Sequence, residues 1–206
     1  MDKSQLIESL KMRGFSKEII SSFEKVRRED FVPEDMKKIA YEDTSLPIGE
    51  GQTISQPYTI AVMLSLLDLK KGQKILEIGS GCGYVLALVS ELIGKGEKVY
   101  GIEIIKSLFE KSAENLRNYK NIKVYNRNGF LGLEEEAPFD RIILSAGYRE
   151  IPKPLITQLK DGGIIVAPIG TSYEQALMAF EKNNEKLEMK KEIKGFIFVP
   201  LVEKQS

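Results

Sequence analysis

Residues 74–84 read KILEIGSGCGY, an apolar run that leads straight into glycines at 79, 81 and 83. A short β-forming run bounded by glycine reads as a buried strand. Glycines at alternate positions let the backbone turn sharply and approach a ligand where a Cβ would clash. The apolar stretch from about Tyr84 to Ile93 reads as a helix, and its first N–H groups face the loop without intrahelical partners. Strand, glycine loop and helix in that order decide the fold class, and the flanking sequence repeats the alternation.

Downstream come KVYGIE (98–103), a helix from about Ser107 to Asn118, and IKVYN (122–126). FDRIILSAG (139–147), a helix near Pro154 to Leu159, and GGIIVAPIG (162–170) follow. Strands alternating with helices build parallel βαβ units whose sheet is covered on both faces. ALMAFEKNNEKLEMKKEI (176–193) reads as two strands joined at Asn183-Asn184, and GFIFVPL (195–201) as a last strand. Upstream, Leu6, Ile7 and Leu10 recur at helical spacing before Gly14. Ser16 then offers an N-cap to a helix carrying Ile19, Ile20, Phe23 and Val26 on one face. Residues 44–57, TSLPIGEGQTISQP, lack periodicity and read as an ordered loop or a short strand and turn, ahead of a helix starting at Pro57. The expected architecture is α/β: a doubly wound, mostly parallel sheet with an antiparallel C-terminal edge and a helical N-terminal cap. One domain spans 1–206, with helices and a loop in 1–56 and the α/β core and C-terminal strands in 57–206.

Composition narrows the function. The 206 residues are 42% hydrophobic, enough apolar mass for one core. Thirty Lys and Arg balance thirty Asp and Glu, which argues against gripping nucleic acid or an anionic membrane as the main task. No apolar stretch reaches the length of a membrane span, and the acid-bearing N-terminus, MDKSQLIESLKMRG, is unlike a signal peptide. Histidine is absent, which removes Ser-His-Asp and Cys-His triads, histidine zinc sites and imidazole bases together. The single cysteine, Cys82, cannot form an internal disulfide and fits a reducing cytoplasm. A cytoplasmic monomer without a metal is the expectation.

The spacing GxGxG differs from the dinucleotide fingerprint, whose third glycine lies one residue deeper for close helix packing. Glu103 ends the second strand twenty residues after Gly83, where an acid is placed to accept from both ribose hydroxyls of a nucleoside. Glu77 adds negative charge at the mouth of the loop. That charge repels a pyrophosphate and attracts ammonium and sulfonium groups, so the residues favour S-adenosylmethionine over a nicotinamide cofactor. A bare strand-to-helix turn with Glu103 as a solvated strand end is the remaining reading. By spacing alone, Ser55 is a helix cap. Lys190, Lys191 and Lys194 read as a solvated strand face or an attractor for acidic peptides, and Glu134, Glu135 and Glu136 as a solvated loop.

PIGEGQTISQPYTIAVML, ILEIGSGCGY, VYGIE, APFDRIILSAG, IPKPLITQLKDGGIIVAPIG and FVPL together resemble the protein-L-isoaspartate O-methyltransferase family. The resemblance runs from the N-terminal helices to about Leu201, and GQTISQP ahead of the glycine loop is its most specific part. It implies a Rossmann-like methyltransferase sheet and transfer of a methyl from S-adenosylmethionine to the α-carboxyl of isoaspartyl residues in damaged proteins and peptides. The ester then closes to a succinimide, and S-adenosylhomocysteine leaves as product. By the same resemblance Ser55 is the active-site serine, and Thr53 lies in the same cofactor- and substrate-facing segment. Gly79, Gly81 and Gly83 match the cofactor loop, Glu103 the ribose acid, and Gln175 a glutamine near the cofactor. Where the family usually carries GDG, this chain has Arg127-Asn128-Gly129. Asn128 keeps an acceptor oxygen for the adenine amino group but lacks the charge, which implies weaker adenine binding. A small-molecule O-methyltransferase and a catalytically silent binding module are the alternatives to the repair activity.

The chemistry is compatible with the missing histidine. An acceptor carboxylate is already ionised at neutral pH, because free carboxyl pKa values lie near ~4. Alignment of oxygen, methyl carbon and sulfur is the main requirement, and such positioning is worth about 7–11 kcal/mol.

Overall fold

The computed structural model describes residues 1–94, 96–171, 173–184 and 186–200. Two helices, α1 (Lys3–Met12) and α2 (Lys17–Lys25), precede a hairpin of β1 (Leu46–Gly49) and β2 (Gln52–Ile54). The α/β region follows as α3 (Pro57–Leu67), β3 (Ile75–Ile78), α4 (Tyr84–Ile93), β4 (Val99–Glu103), α5 (Lys106–Asn115) and β5 (Ile122–Asn126). It continues with β6 (Phe139–Leu144), α6 (Lys153–Gln158), β7 (Leu159–Gly170), β8 (Gln175–Asn183) and β9 (Lys186–Phe196).

Seven strands form one sheet in the order β5-β4-β3-β6-β7-β8-β9. The first five in that order run parallel, and β8 and β9 pair antiparallel at the edge. From β3 the chain moves outward through β4 to β5 and then crosses back to β6, so the order reverses between β3 and β6. The crevice beyond the carboxyl ends of strands at such a reversal is where open α/β sheets bind ligands.

Alternation along the strands divides the core. Ile75, Val99, Ile143 and Val166 face α3, α4 and the N-terminal helices, whereas Leu76, Tyr100, Ile142 and Ile165 face the opposite side. On the first face α2 packs on α4, with Phe23 and Phe31 edge-on to the Tyr84 ring at centroid distances of 6.3 and 5.3 Å. The N-terminal helices thus share the core of the glycine-loop helix. Ser16 caps α2 by accepting from the Ile19 N–H at 3.3 Å, as its spacing predicts.

Four expectations change. The sheet's second face carries a thin layer, α6 and 3-10 turns at Gly129–Leu131 and Glu134–Glu136, rather than a full set of helices. Among those turns, Glu136 is more than a solvated acid: its carboxylate accepts from the Tyr100 and Tyr125 hydroxyls at 2.7 and 3.0 Å. Helix α5 ends at Asn115 instead of Asn118, because Leu116 turns inward beneath Gly83. GFIFVPL is not a separate strand: Gly195 and Phe196 finish β9, and Pro200 forms an isolated parallel bridge with Gly147. Leu201 lies outside the described residues.

Phe23 is 1% exposed and couples the N-terminal layer to α4. Phe23→Ala is expected to cost about 3–5 kcal/mol. It should leave a single unfolding transition, as read in urea by far-UV circular dichroism. An N-terminal layer that melts separately would contradict the shared core.

Candidate active site

Gly79, Gly81 and Gly83 have φ values of 76°, 51° and 87°, a backbone that side-chain-bearing residues rarely adopt. Space is also short. A Cβ on Gly83 would lie 2.7 Å from Leu116 Cδ1, and one on Gly81 would lie 3.1 Å from Ile48 Cδ1. Glu103 holds this loop from the neighbouring strand: its carboxylate accepts from the N–H groups of Gly81 and Ile105, each at 2.8 Å. Burial raises the Glu103 pKa, and the bonds from Ile105, Gly81 and Ile104 oppose the rise. The two oxygens together keep acceptor capacity beyond these backbone bonds.

Glu77 shares the face of Ile75, so its side chain enters the core layer beneath α3 and α4. It is 1% exposed, and burial pushes its pKa up to about 8, with Glu103 adding repulsion and a hydrogen bond from Ser145 Oγ at 2.6 Å opposing. The other oxygen, Oε2, is buried without a partner. A buried acceptor left unpaired is costly, and an ammonium group is the donor that satisfies both its lone pairs and its charge. Ser80 Oγ is likewise buried and unpartnered in the same loop.

Two adjoining cavities of about 50 and 40 Å³ open here, and Ile48, Thr53, Gly79, Gly81 and Ser145 line both. Glu103 lines the first; Ser55, Glu77, Ser80 and Cys82 line the second. The β1–β2 hairpin forms the roof, and its tip carboxylate, Glu50, accepts from Ser107 Oγ at 2.9 Å across the cleft. Wider grooves of about 620 and 730 Å³ lie along α3 beside Ile193 and beside the ends of α4 and α5. Neither contains a glycine loop or a buried ionisable side chain, so the smaller pair of cavities is the candidate site.

Ser55 is half-buried in that site, and its hydroxyl has no hydrogen-bond partner among the described residues. The cap expected of it is absent. Gln56 occupies the N-cap of α3 without a side-chain bond, and Asp43 instead accepts from the Tyr58 N–H at 2.8 Å. Ser55 is therefore left to face the cavity. Thr53 pairs with Pro47 in the hairpin and lines both cavities.

The structure does not bring every expected residue to the cavities. Asn128 caps the Gly129–Leu131 turn by accepting from the Phe130 N–H at 2.9 Å. Gly129 is buried because a Cβ there would lie 2.4 Å from Ile78 Cγ2. Gln175 is buried on β8 and brackets Phe198, accepting its N–H at 2.8 Å. In that position it holds the terminal segment against Gly147 and lines neither cavity. Sequence reasoning missed Ser145, Ser80 and Ile48. For Ser145 the signal was present, since a serine ends the strand on which the sheet order reverses.

Glu77 carries a pH signature. Its folded pKa of about 8 exceeds the ordinary value of 4.5, so between those pH values the folded state holds a proton that the unfolded chain has lost. This contribution to stability is present below 4.5 and is lost as pH rises through about 8. Wild type minus Glu77→Gln, compared by urea unfolding from pH 5 to 9, should show that loss; parallel profiles would contradict the buried acid.

The family model described as Protein-L-isoaspartate(D-aspartate) O-methyltransferase (PCMT) matches residues 1–206. A protein-L-isoaspartate O-methyltransferase of Methanothrix thermoacetophila is 45% identical over 206 residues, covering 99% of this chain and 96% of that protein. A solved protein-L-isoaspartate O-methyltransferase superposes with a TM-score of 0.90 at 29% identity, covering 97% of this chain; this chain spans 65% of it. The beta-aspartate methyltransferase (PCMT) structure from Plasmodium falciparum, in complex with S-adenosyl-L-homocysteine, gives a TM-score of 0.85 at 28% identity, covering 99% of this chain and all of that one. With a whole-chain match and a relative this similar, the chain belongs to the protein-L-isoaspartate (D-aspartate) O-methyltransferase family.

Proposed function

We infer that this protein transfers a methyl group from S-adenosylmethionine to the α-carboxyl of isoaspartyl residues in damaged proteins and peptides. The observation that carries the inference is the unpartnered Glu77 Oε2 in a cavity that also holds Ser55, within a chain of this family. When bound, S-adenosylmethionine supplies an electrophilic methyl carbon on a sulfonium. Glu77 would hold its ammonium, Glu103 the ribose hydroxyls, and the left-handed glycine loop would admit the backbone approach that both require. Thr53 would line the same cofactor space from the hairpin. Asn128 and Gly129 would meet the adenine edge, and Gln175 would act from behind by fixing Phe198.

Ser55 does the work on the acceptor side. The acceptor carboxylate needs no base, because it is ionised at neutral pH. Ser55 Oγ donates a hydrogen bond that orients one carboxylate oxygen, and the transferred methyl neutralises that oxygen's charge. No proton moves in the transfer, so the absence of histidine costs nothing. The hairpin must lift from Gly81 to admit a nucleoside, since the space beneath it holds only a few waters. We take the protein to act as a single-domain cytoplasmic monomer without metal or nucleic acid. Its zero net charge supports the absence of nucleic acid and its single buried cysteine a reducing compartment.

Radiolabelled methyl transfer tests the inference. Base-labile label should appear on an isoaspartyl peptide and not on its aspartyl twin, and Ser55→Ala should lose about ten- to hundredfold in kcat/KM, the worth of one hydrogen bond to a charged group. Label on neither peptide, with cofactor binding intact, would sink the repair activity in favour of a small-molecule acceptor or a silent module. Asn128→Asp should tighten S-adenosylhomocysteine binding about threefold or more by restoring a charged acceptor. Unchanged or weaker affinity in calorimetry would remove Asn128 from the adenine site.

A further inference from the structure

Arg28 is fully buried, with 0% exposure, in the short turn after α2. Its Nε donates to the Ala40 carbonyl at 2.8 Å and one terminal nitrogen to the Thr44 carbonyl at 3.4 Å. The other terminal nitrogen, Nη1, is buried without a partner. Among the described residues no carboxylate lies within ion-pair distance. Asp43 exerts some attraction, but its carboxylate is bonded to Arg13 at 3.1 Å and to the Tyr58 N–H. Tyr84 and Cys82 are the other polar groups facing the guanidinium, and the Tyr84 hydroxyl also gives it a hydrogen-bonding contact. A buried guanidinium without a carboxylate partner opposes folding, so packing alone does not account for it.

Its position bears on the site in two ways. Ala40 and Thr44 lie at the root of the β1–β2 hairpin, which carries Thr53 and leads into Ser55. The guanidinium carbon also sits 5.2 Å from the Tyr84 ring centroid, and Tyr84 lines the cavity with Ser55 and Glu77. Among the described residues no Lys or Arg lines either cavity; their acids are Glu103 and Glu77, the latter ionised once it pairs with a cation. They suit a cationic cofactor and oppose an anionic acceptor.

We propose that Arg28 is a positioning residue for the methyl acceptor: it pins the hairpin root through Ala40 and Thr44, and its buried charge, without a carboxylate partner, offsets the ionised acids of the cavities when a carboxylate enters. The proposal rests on the carboxylate acceptor inferred above. It separates from a plain structural role by sign. Loss of a buried positive charge weakens the anion and leaves the cationic cofactor unaffected or better held, whereas loss of packing weakens both.

The full-length protein with Arg28→Met and Arg28→Lys tests this by three readouts. Arg28→Met should raise KM for an isoaspartyl peptide about tenfold or more. S-adenosylmethionine Kd by calorimetry, without peptide, should stay unchanged or fall, and amide exchange over residues 46–54 should quicken. Arg28→Lys should recover part of the KM through its charge while exchange stays fast, because one ammonium on a shorter reach does not span both carbonyls. An unchanged KM, or parallel losses in KM and Kd, would overturn the proposal. If Arg28→Met does not fold, unaltered exchange over 46–54 in Arg28→Lys overturns it. Should the wild type methylate no isoaspartyl peptide, the inferred activity fails by itself, and the exchange readout still decides whether Arg28 pins the hairpin.

Discussion

The hydrogen bond from the Gly81 N–H to the Glu103 carboxylate joins the ends of β3 and β4, and the site is arranged around it. It holds a loop whose three glycines occupy left-handed backbone and are packed from below by Leu116 and from above by Ile48. A side chain at Gly81 or Gly83 would displace the hairpin or α5. With the loop held, α4 begins at Tyr84, Glu77 is sealed beneath it, and Ser145 is brought to Glu77 from the adjacent strand. Glu103 is thus a structural brace before it is a ligand for anything, and the same burial that makes it a brace raises its pKa.

Electrostatics gives the site its direction. Two buried carboxylates in a small cleft disfavour their own ionised forms, and a bound cation relieves both at once. A carboxylate acceptor meets the opposite field. Ser55, released from capping because Asp43 takes that task, would provide a neutral donor, and Arg28 would provide charge from behind Tyr84. Placing the cofactor against acids and the acceptor against a hydroxyl on a movable hairpin keeps the two partners from competing for one subsite.

Much of the fold is legible in the sequence because strand and helix periods are local. KILEI, VYGIE, IKVYN and FDRIIL appear as strands within a residue or two, and Pro57 and Ser16 mark helix starts for reasons internal to their own turns. Features set by distant packing are less legible. Leu116 ends α5 early because of Gly83, a contact that no helical pattern encodes. Gly195 and Phe196 extend β9 rather than start a strand, since pairing partners decide strand limits. In the site, Gly79, Gly81, Gly83, Glu77 and Glu103 follow from chemistry at fixed offsets. Ser55 did not: its spacing argued for a cap, the family resemblance for a site serine, and the three-dimensional place of Asp43 shows why the cap is absent. Arg28 is the extreme case, because in VRRED it looks like its exposed neighbour Arg27.

The central claim is that the sealed Glu77 carboxyl receives the cofactor's ammonium. Calorimetric titration with S-adenosylhomocysteine at pH 6, in two buffers of different ionisation enthalpy, reads it directly. Free Glu77, with a pKa of about 8, is protonated there and must lose its proton to pair with a cation. The predicted result is release of close to one proton per ligand bound, abolished in Glu77→Gln. Binding without proton release in the wild type would contradict the account and place the ammonium elsewhere.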